Sequence, residues 1–153
     1  MRVEESILIE RPAEDVFAFF DDRRNDGRWM AIVHESEWTD PGESTAVGRR
    51  GRMVMDALGT REFTDVVTEY EPGRSVAHRS DGGSLVVHTG CIARPEGRGC
   101  RASVWLEPER LPGGVLGRLA GPFVARKVRS QYRQDLARLK AVLESSETAE
   151  AAG

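Results

Sequence analysis

The chain has 153 residues, 39% hydrophobic and 31% charged, enough to bury a core without staples and too apolar for a disordered chain. Its net charge of −3 gives no global field that would favour nucleic acid or an anionic membrane. No apolar run approaches the roughly 20 residues that span a bilayer, and no apolar secretory core follows Met1 to Glu5, so a cytoplasmic protein with no membrane insertion is expected.

Residues 3–10, with Ile7-Leu8-Ile9, read as a first strand. Pro12 suits a helix start, and Glu14 and Asp15 follow where the helix dipole favours acids. Val16, Phe17, Phe19 and Phe20 give that short helix an apolar stripe, and it ends near Asp22. Residues 23–29 read as a second short helix or turn, broken at Asn25-Asp26-Gly27. Six strands follow, over 33–39, 47–58, 61–71, 74–80, 84–94 and 98–107. The connections carry Asp40-Pro41-Gly42, Gly59-Thr60, Pro72-Gly73, Asp81-Gly82-Gly83 and Pro95-Glu96-Gly97. Short links of this kind fit an antiparallel meander. Met53, Met55 and Ala57 share one strand face by period two.

After Pro112 the glycines at 113, 114, 117 and 121 read as a flexible lid or kink; they lack the lysine of a phosphate loop. Pro122 opens a helix to about Ser145, with Ala125, Val128, Tyr132, Leu136, Leu139 and Leu143 on one face. Residues 1–145 are read as one domain and 146–153 as a frayed polar tail. Cys91 and Cys100 form no CxxC or Cys/His cluster, so no metal or other cofactor is expected. A hairpin loop at 94–97 would bring the two thiols across from each other, reduced in the cytosol.

Seven antiparallel strands cannot leave a broad apolar face open to water, and the long helix is the element large enough to cover it. The sheet must curl around that helix. Small or flexible inward positions, Gly51, Met53, Met55, Ala57, Gly90 and Ala102, leave room for a mostly apolar cavity. The expected class is α+β, a seven-stranded curved antiparallel sheet wrapped around a long C-terminal helix, with two short helices after strand one.

This order resembles the helix-grip fold of the START-like (SRPBCC) superfamily, over residues 3–145. Local features are similar to its polyketide cyclase/dehydrase branch: Ile9-Glu10-Arg11-Pro12-Ala13-Glu14-Asp15-Val16-Phe17, Arg28-Trp29-Met30, Glu69-Tyr70-Glu71-Pro72-Gly73-Arg74, and the run from Asp135 to Glu144. The resemblance implies a pocket entrance near Trp29 and Met30. It also implies that His78, in phase with Val76 and Ser80, faces the cavity, because the related branch has an apolar or aromatic residue near this place. It transfers no shared catalytic motif, and fold does not fix function.

His78 in a pocket can act as acid or base near neutral pH, or simply be a hydrogen-bonded histidine. His88 is a further pocket candidate, although the faces of its strand cannot be assigned; His34 is a weaker one. Tyr132 can donate to a ligand carbonyl or to the backbone. Arg129, at the margin of the stripe, can grip a ligand carboxylate or snorkel to solvent. Met53 and Met55 offer adaptable surface or core filler. Val76, Val104 and Val128 complete the candidate lining, with Cys100, Ala102 and Leu106 inward beside Val104 and Trp105 on the convex side. Asp56 and Asp65 are a conceivable acid–base pair. No GxSxG or HExxH is present.

The expected partner is a small hydrophobic molecule, lipid-like or aromatic and polyketide-like, with no nucleic acid. One alternative is a cyclase/dehydrase-type enzyme in which His78, Tyr132 or Arg129 polarises a poly-carbonyl chain. Another is a partner-binding module like the chaperone-activating members of the superfamily. Either a monomer or a homodimer fits, and an exposed Trp38 or Trp105 would hint at the dimer.

Overall fold

The computed structural model describes residues 2–114 and 121–152. Strand β1 (Val3–Ile9) leads into helix α1 (Ala13–Asp21), with Pro12 at its N-cap and Glu14 and Asp15 in its first turn. Asp22 accepts a hydrogen bond from the Arg24 amide at 3.0 Å, capping a 3-10 turn (Arg23–Asn25) that runs into the one-turn helix α2 (Asp26–Trp29). Strands β2 (Val33–Trp38), β3 (Arg50–Asp56), β4 (Thr60–Glu71), β5 (Ser75–Asp81), β6 (Val86–Glu96) and β7 (Gly99–Arg110) follow, then helix α3 (Gly121–Ala152). Of the expected glycine-rich lid or kink, residues 115–120 lie outside the described residues. No helix among the described residues is long and apolar enough to cross a membrane.

The seven strands form one antiparallel sheet in the order β1-β7-β6-β5-β4-β3-β2. β2 to β7 form the expected meander, and β1 returns to pair with β7, leaving β1 and β2 as edges. Turn chemistry sets the strand ends. β3 is shorter than expected because Gly48 (φ 90°), Leu58 (φ 55°) and Gly59 (φ 93°) occupy the left-handed region, where a strand cannot continue. At the β6–β7 hairpin Glu96 pairs with Gly99 and Gly97 has φ 58°, so β6 runs two residues further than expected and the loop shrinks to Gly97 and Arg98. As a result Cys91 pairs with Val104 and Cys100 with Pro95; the thiols are not cross-strand neighbours, and both are free.

The main core gathers α1, α2, the sheet and the C-terminal half of α3. Val16, Phe17, Phe20, Ile9, Leu136 and Leu139 meet there, Leu139 with no exposed surface. Hydrogen bonds fasten that half of the helix. Arg11 Nη1 donates to the Leu143 carbonyl at 2.8 Å, Lys140 Nζ to the Leu8 carbonyl at 3.1 Å, and Arg138 Nη1 to the Trp29 carbonyl at 2.9 Å. Where a frayed tail is expected, the helix continues to Ala152. Residues 146–152 are rich in Ala and Glu, which favour helix.

Candidate ligand-binding cavity

The apolar stripe of α3 splits in two. Leu136, Leu139 and Leu143 are buried in the solid core, whereas Val124, Val128 and Tyr132 roof a cavity of about 290 Å³ with a mostly apolar lining. The volume sits at the lower end of the roughly 300–1,000 Å³ of small-molecule sites. Facing residues of paired strands point to the same side, and the register therefore places the floor. Val76 lies opposite Cys91, Cys91 opposite Val104, and His78 opposite Thr89, and all of these line the cavity. Met53 and Met55 of β3 form one wall, with Trp29 and Met30 between α2 and β2.

Two predicted residues lie elsewhere. His88 pairs with Glu107 on the convex side, where its Nε2 meets Glu109 at 3.0 Å. Val87, Thr89 and Cys91 line the cavity, so the alternation of β6 turns His88 outward. Arg129 is drawn to β1, with Nη1 3.5 Å from Glu5 and 3.4 Å from the Glu4 carbonyl. Gly90 is also convex, opposite Trp105; a Cβ there would run into the indole, over which Arg2 stacks at 4.3 Å. Asp56 and Asp65 have separate partners: Asp56 meets exposed His34 at 3.0 Å, and Asp65 meets Arg23.

A buried polar cluster forms one end of the cavity. Arg23 Nη1 and Nη2 donate to the two Asp65 oxygens, each at 2.7 Å, a bidentate pair. Arg23 Nε donates to Ser36 Oγ at 3.0 Å, and Ser36 Oγ donates to Asp26 Oδ2 at 2.7 Å. Arg23, Asp65 and Asp26 are 8%, 3% and 7% exposed. Arg23 lies against the β3 backbone at Gly51, where a Cβ would collide with its guanidinium. Arg23 and Arg49 both sit over the Trp38 ring, at 4.7 and 4.0 Å. Burial pushes the Asp26 carboxyl up to about 7, against the opposing pull of Ser36 and Arg23. Sequence reasoning missed Arg23, Asp26 and Ser36. Gly51 inside a strand was their available signal, since such a glycine often marks a close approach.

Around this cluster, burial holds His78 below its ordinary 6.5, so its ring is neutral at pH 7. Burial raises the Tyr132 hydroxyl and the Cys91 thiol. The side chains of His78, Tyr132 and Thr89 make no hydrogen bond to another described residue, and Trp29 Nε1 is buried without a partner. Asp135, on α3, accepts from Gln131 at 2.9 Å and is raised chiefly by burial. The cavity thus offers an apolar body and a few neutral hydrogen-bonding groups.

The model of the family described as polyketide cyclase/dehydrase and lipid transport matches residues 1–144. The chain belongs to this family. A solved structure from Deinococcus radiodurans is 26% identical, with a TM-score of 0.71, over 95% of this chain and 98% of that one. The Zhui aromatase/cyclase from a Streptomyces species is 19% identical, with a TM-score of 0.72, over 100% of this chain and 98% of its own. The di-domain ARO/CYC BexL from the BE-7585A biosynthetic pathway is 18% identical, with a TM-score of 0.72, over 94% of this chain and 46% of its own. The last two likenesses establish the shared helix-grip fold. The search of curated proteins finds no match.

Proposed function

We propose that this protein binds one small hydrophobic ligand, lipid-like or aromatic and polyketide-like, between the sheet and α3. The observation that carries this reading is the 290 Å³ apolar cavity with few polar groups in its wall. Trp29, Met30, Met53, Met55, Val76, Val104 and Val128 supply the contact surface in this reading, and His78 and Tyr132 the hydrogen bonds. Its size suits a compact ring system better than a two-chained lipid. The two free thiols are consistent with a reducing cytoplasm.

The test is mass spectrometry of the protein purified without added ligand, alongside titration with an apolar fluorescent probe. Val128→Trp should fill the cavity and abolish probe binding while the protein stays folded. Unchanged probe affinity in that variant would refute the site.

A second reading, cyclase/dehydrase-type catalysis on a poly-carbonyl substrate, is favoured by one observation: neutral His78 and the Tyr132 hydroxyl, which bonds to no other described residue, both border the cavity. Tyr132 would donate to a substrate carbonyl and so stabilise the developing enolate oxygen, while His78 would accept the proton from the adjacent carbon. Arg129 has no part in it. Turnover of a poly-carbonyl substrate should fall about 100-fold or more in His78→Ala, and undiminished turnover in His78→Ala, Tyr132→Phe would exclude this mechanism.

A further inference from the structure

Arg23 is the buried cation of the cavity wall among the described residues, and its hydrogen bonds are committed. Asp65 takes both terminal nitrogens, Ser36 takes Nε, and the Arg52 carbonyl lies 3.4 Å from Nη2. A second acid, Asp26, shares the same cluster through Ser36. Three more carboxylates border the cavity: Asp56, paired with His34, Asp135 in the roof, and Asp21, whose Oδ2 accepts from Tyr70 at 2.8 Å while its buried Oδ1 has no hydrogen-bond partner among the described residues. The other lining cation among the described residues, Lys127, is exposed to solvent. Arg129, the helix cation best spaced to hold an anion, is committed to Glu5.

We infer that the cavity selects ligands by charge: it accepts uncharged, oxygen-bearing ring compounds and rejects carboxylates of the same shape. This inference rests on the ligand-binding reading above. A carboxylate taken out of water needs a dedicated cation or several donors. Here it would meet one cation already neutralised by Asp65, and further acids beside it. Lys127 gives little compensation, because an exposed charge is screened by water and salt. The wall groups that bond to no other described residue are neutral: the Tyr132 and Thr89 hydroxyls and the His78 ring. Such groups satisfy a ketone or phenol oxygen without requiring a counter-charge.

The test uses a shape-matched pair, 2-acetylnaphthalene and 2-naphthoate, titrated calorimetrically into the full chain near pH 8, about one unit above the Asp26 value. The ketone should bind at least about tenfold more tightly than the carboxylate. Equal or tighter binding of the carboxylate would overturn charge selection while leaving the ligand-binding reading intact. Binding of neither probe would count against that reading itself, and the inference would go with it. Asp26→Asn removes one negative charge from the cluster with little change of shape. It should narrow the ratio of the two affinities several-fold at that pH, and an unmoved ratio in the folded variant would refute the electrostatic account.

Discussion

Asp26 ties the cavity to the stability of the whole molecule. Its carboxyl keeps its proton to about pH 7 in the folded chain, against 3.8 for an ordinary aspartate. Between those values the folded state holds more protons than the unfolded one, so stability falls as pH rises through that window. Asp26→Asn cannot lose the proton. Urea titrations should find the variant gaining on the parent by a few kcal/mol from pH 4 to pH 8, with most of the change below pH 7. His78 acts with the opposite sign. Its depressed value gives a contribution that is complete above 6.5 and is lost as pH falls below it, and His78→Asn should flatten that acid limb. Gly51 is the third sensitive position. Gly51→Ala would push Arg23 off Asp65, and breaking a buried pair costs about 3–5 kcal/mol, readable in the same titrations. Apart from Gly51 inside a strand, nothing in the residues themselves signalled this. Arg23 and Asp26 follow a short helix and look like solvated charges; only the approach of β3 at Gly51 encloses them.

At the scale of elements, the strands were legible because proline, glycine and aspartate punctuate them, and the long helix because its apolar spacing holds for about five turns. Side-chain direction was less legible where a strand is apolar on both faces or a partner lies far along the chain. Leu85, Val86 and Val87 are all buried, which hid that β6 turns Val87, Thr89 and Cys91 inward and His88 outward, and β1 places Glu5 where it captures Arg129. The division of α3 was hidden as well, because Val128 and Leu139 look alike in a helical pattern. They differ in what opposes them. Leu139→Ala, deep in packed core, should cost about 2–5 kcal/mol by urea unfolding. Val128→Ala borders empty space and should cost well under half as much.

For the whole molecule, a ligand that binds only the folded chain must raise its melting temperature. At a hundredfold excess over Kd the gain is about 2.7 kcal/mol, a rise of roughly 5–10 °C in Tm for a chain of this length. The pattern of strands and helices pointed to the fold and to a hollow interior, whereas the acids at one end of that hollow emerged only once distant segments were brought together. The short hydrogen bonds that fasten α3, at 2.8 to 3.1 Å, lie at or beyond Arg138, whereas the roofing half is tied to β1 by the longer contacts of Arg129 and has a void beneath it. Amide protons between Val128 and Tyr132 should therefore exchange with deuterium sooner than those between Leu136 and Leu143. An occupant of the hollow would slow the first group and leave the second untouched, so one end of a single helix would register the guest while the other end held the molecule together.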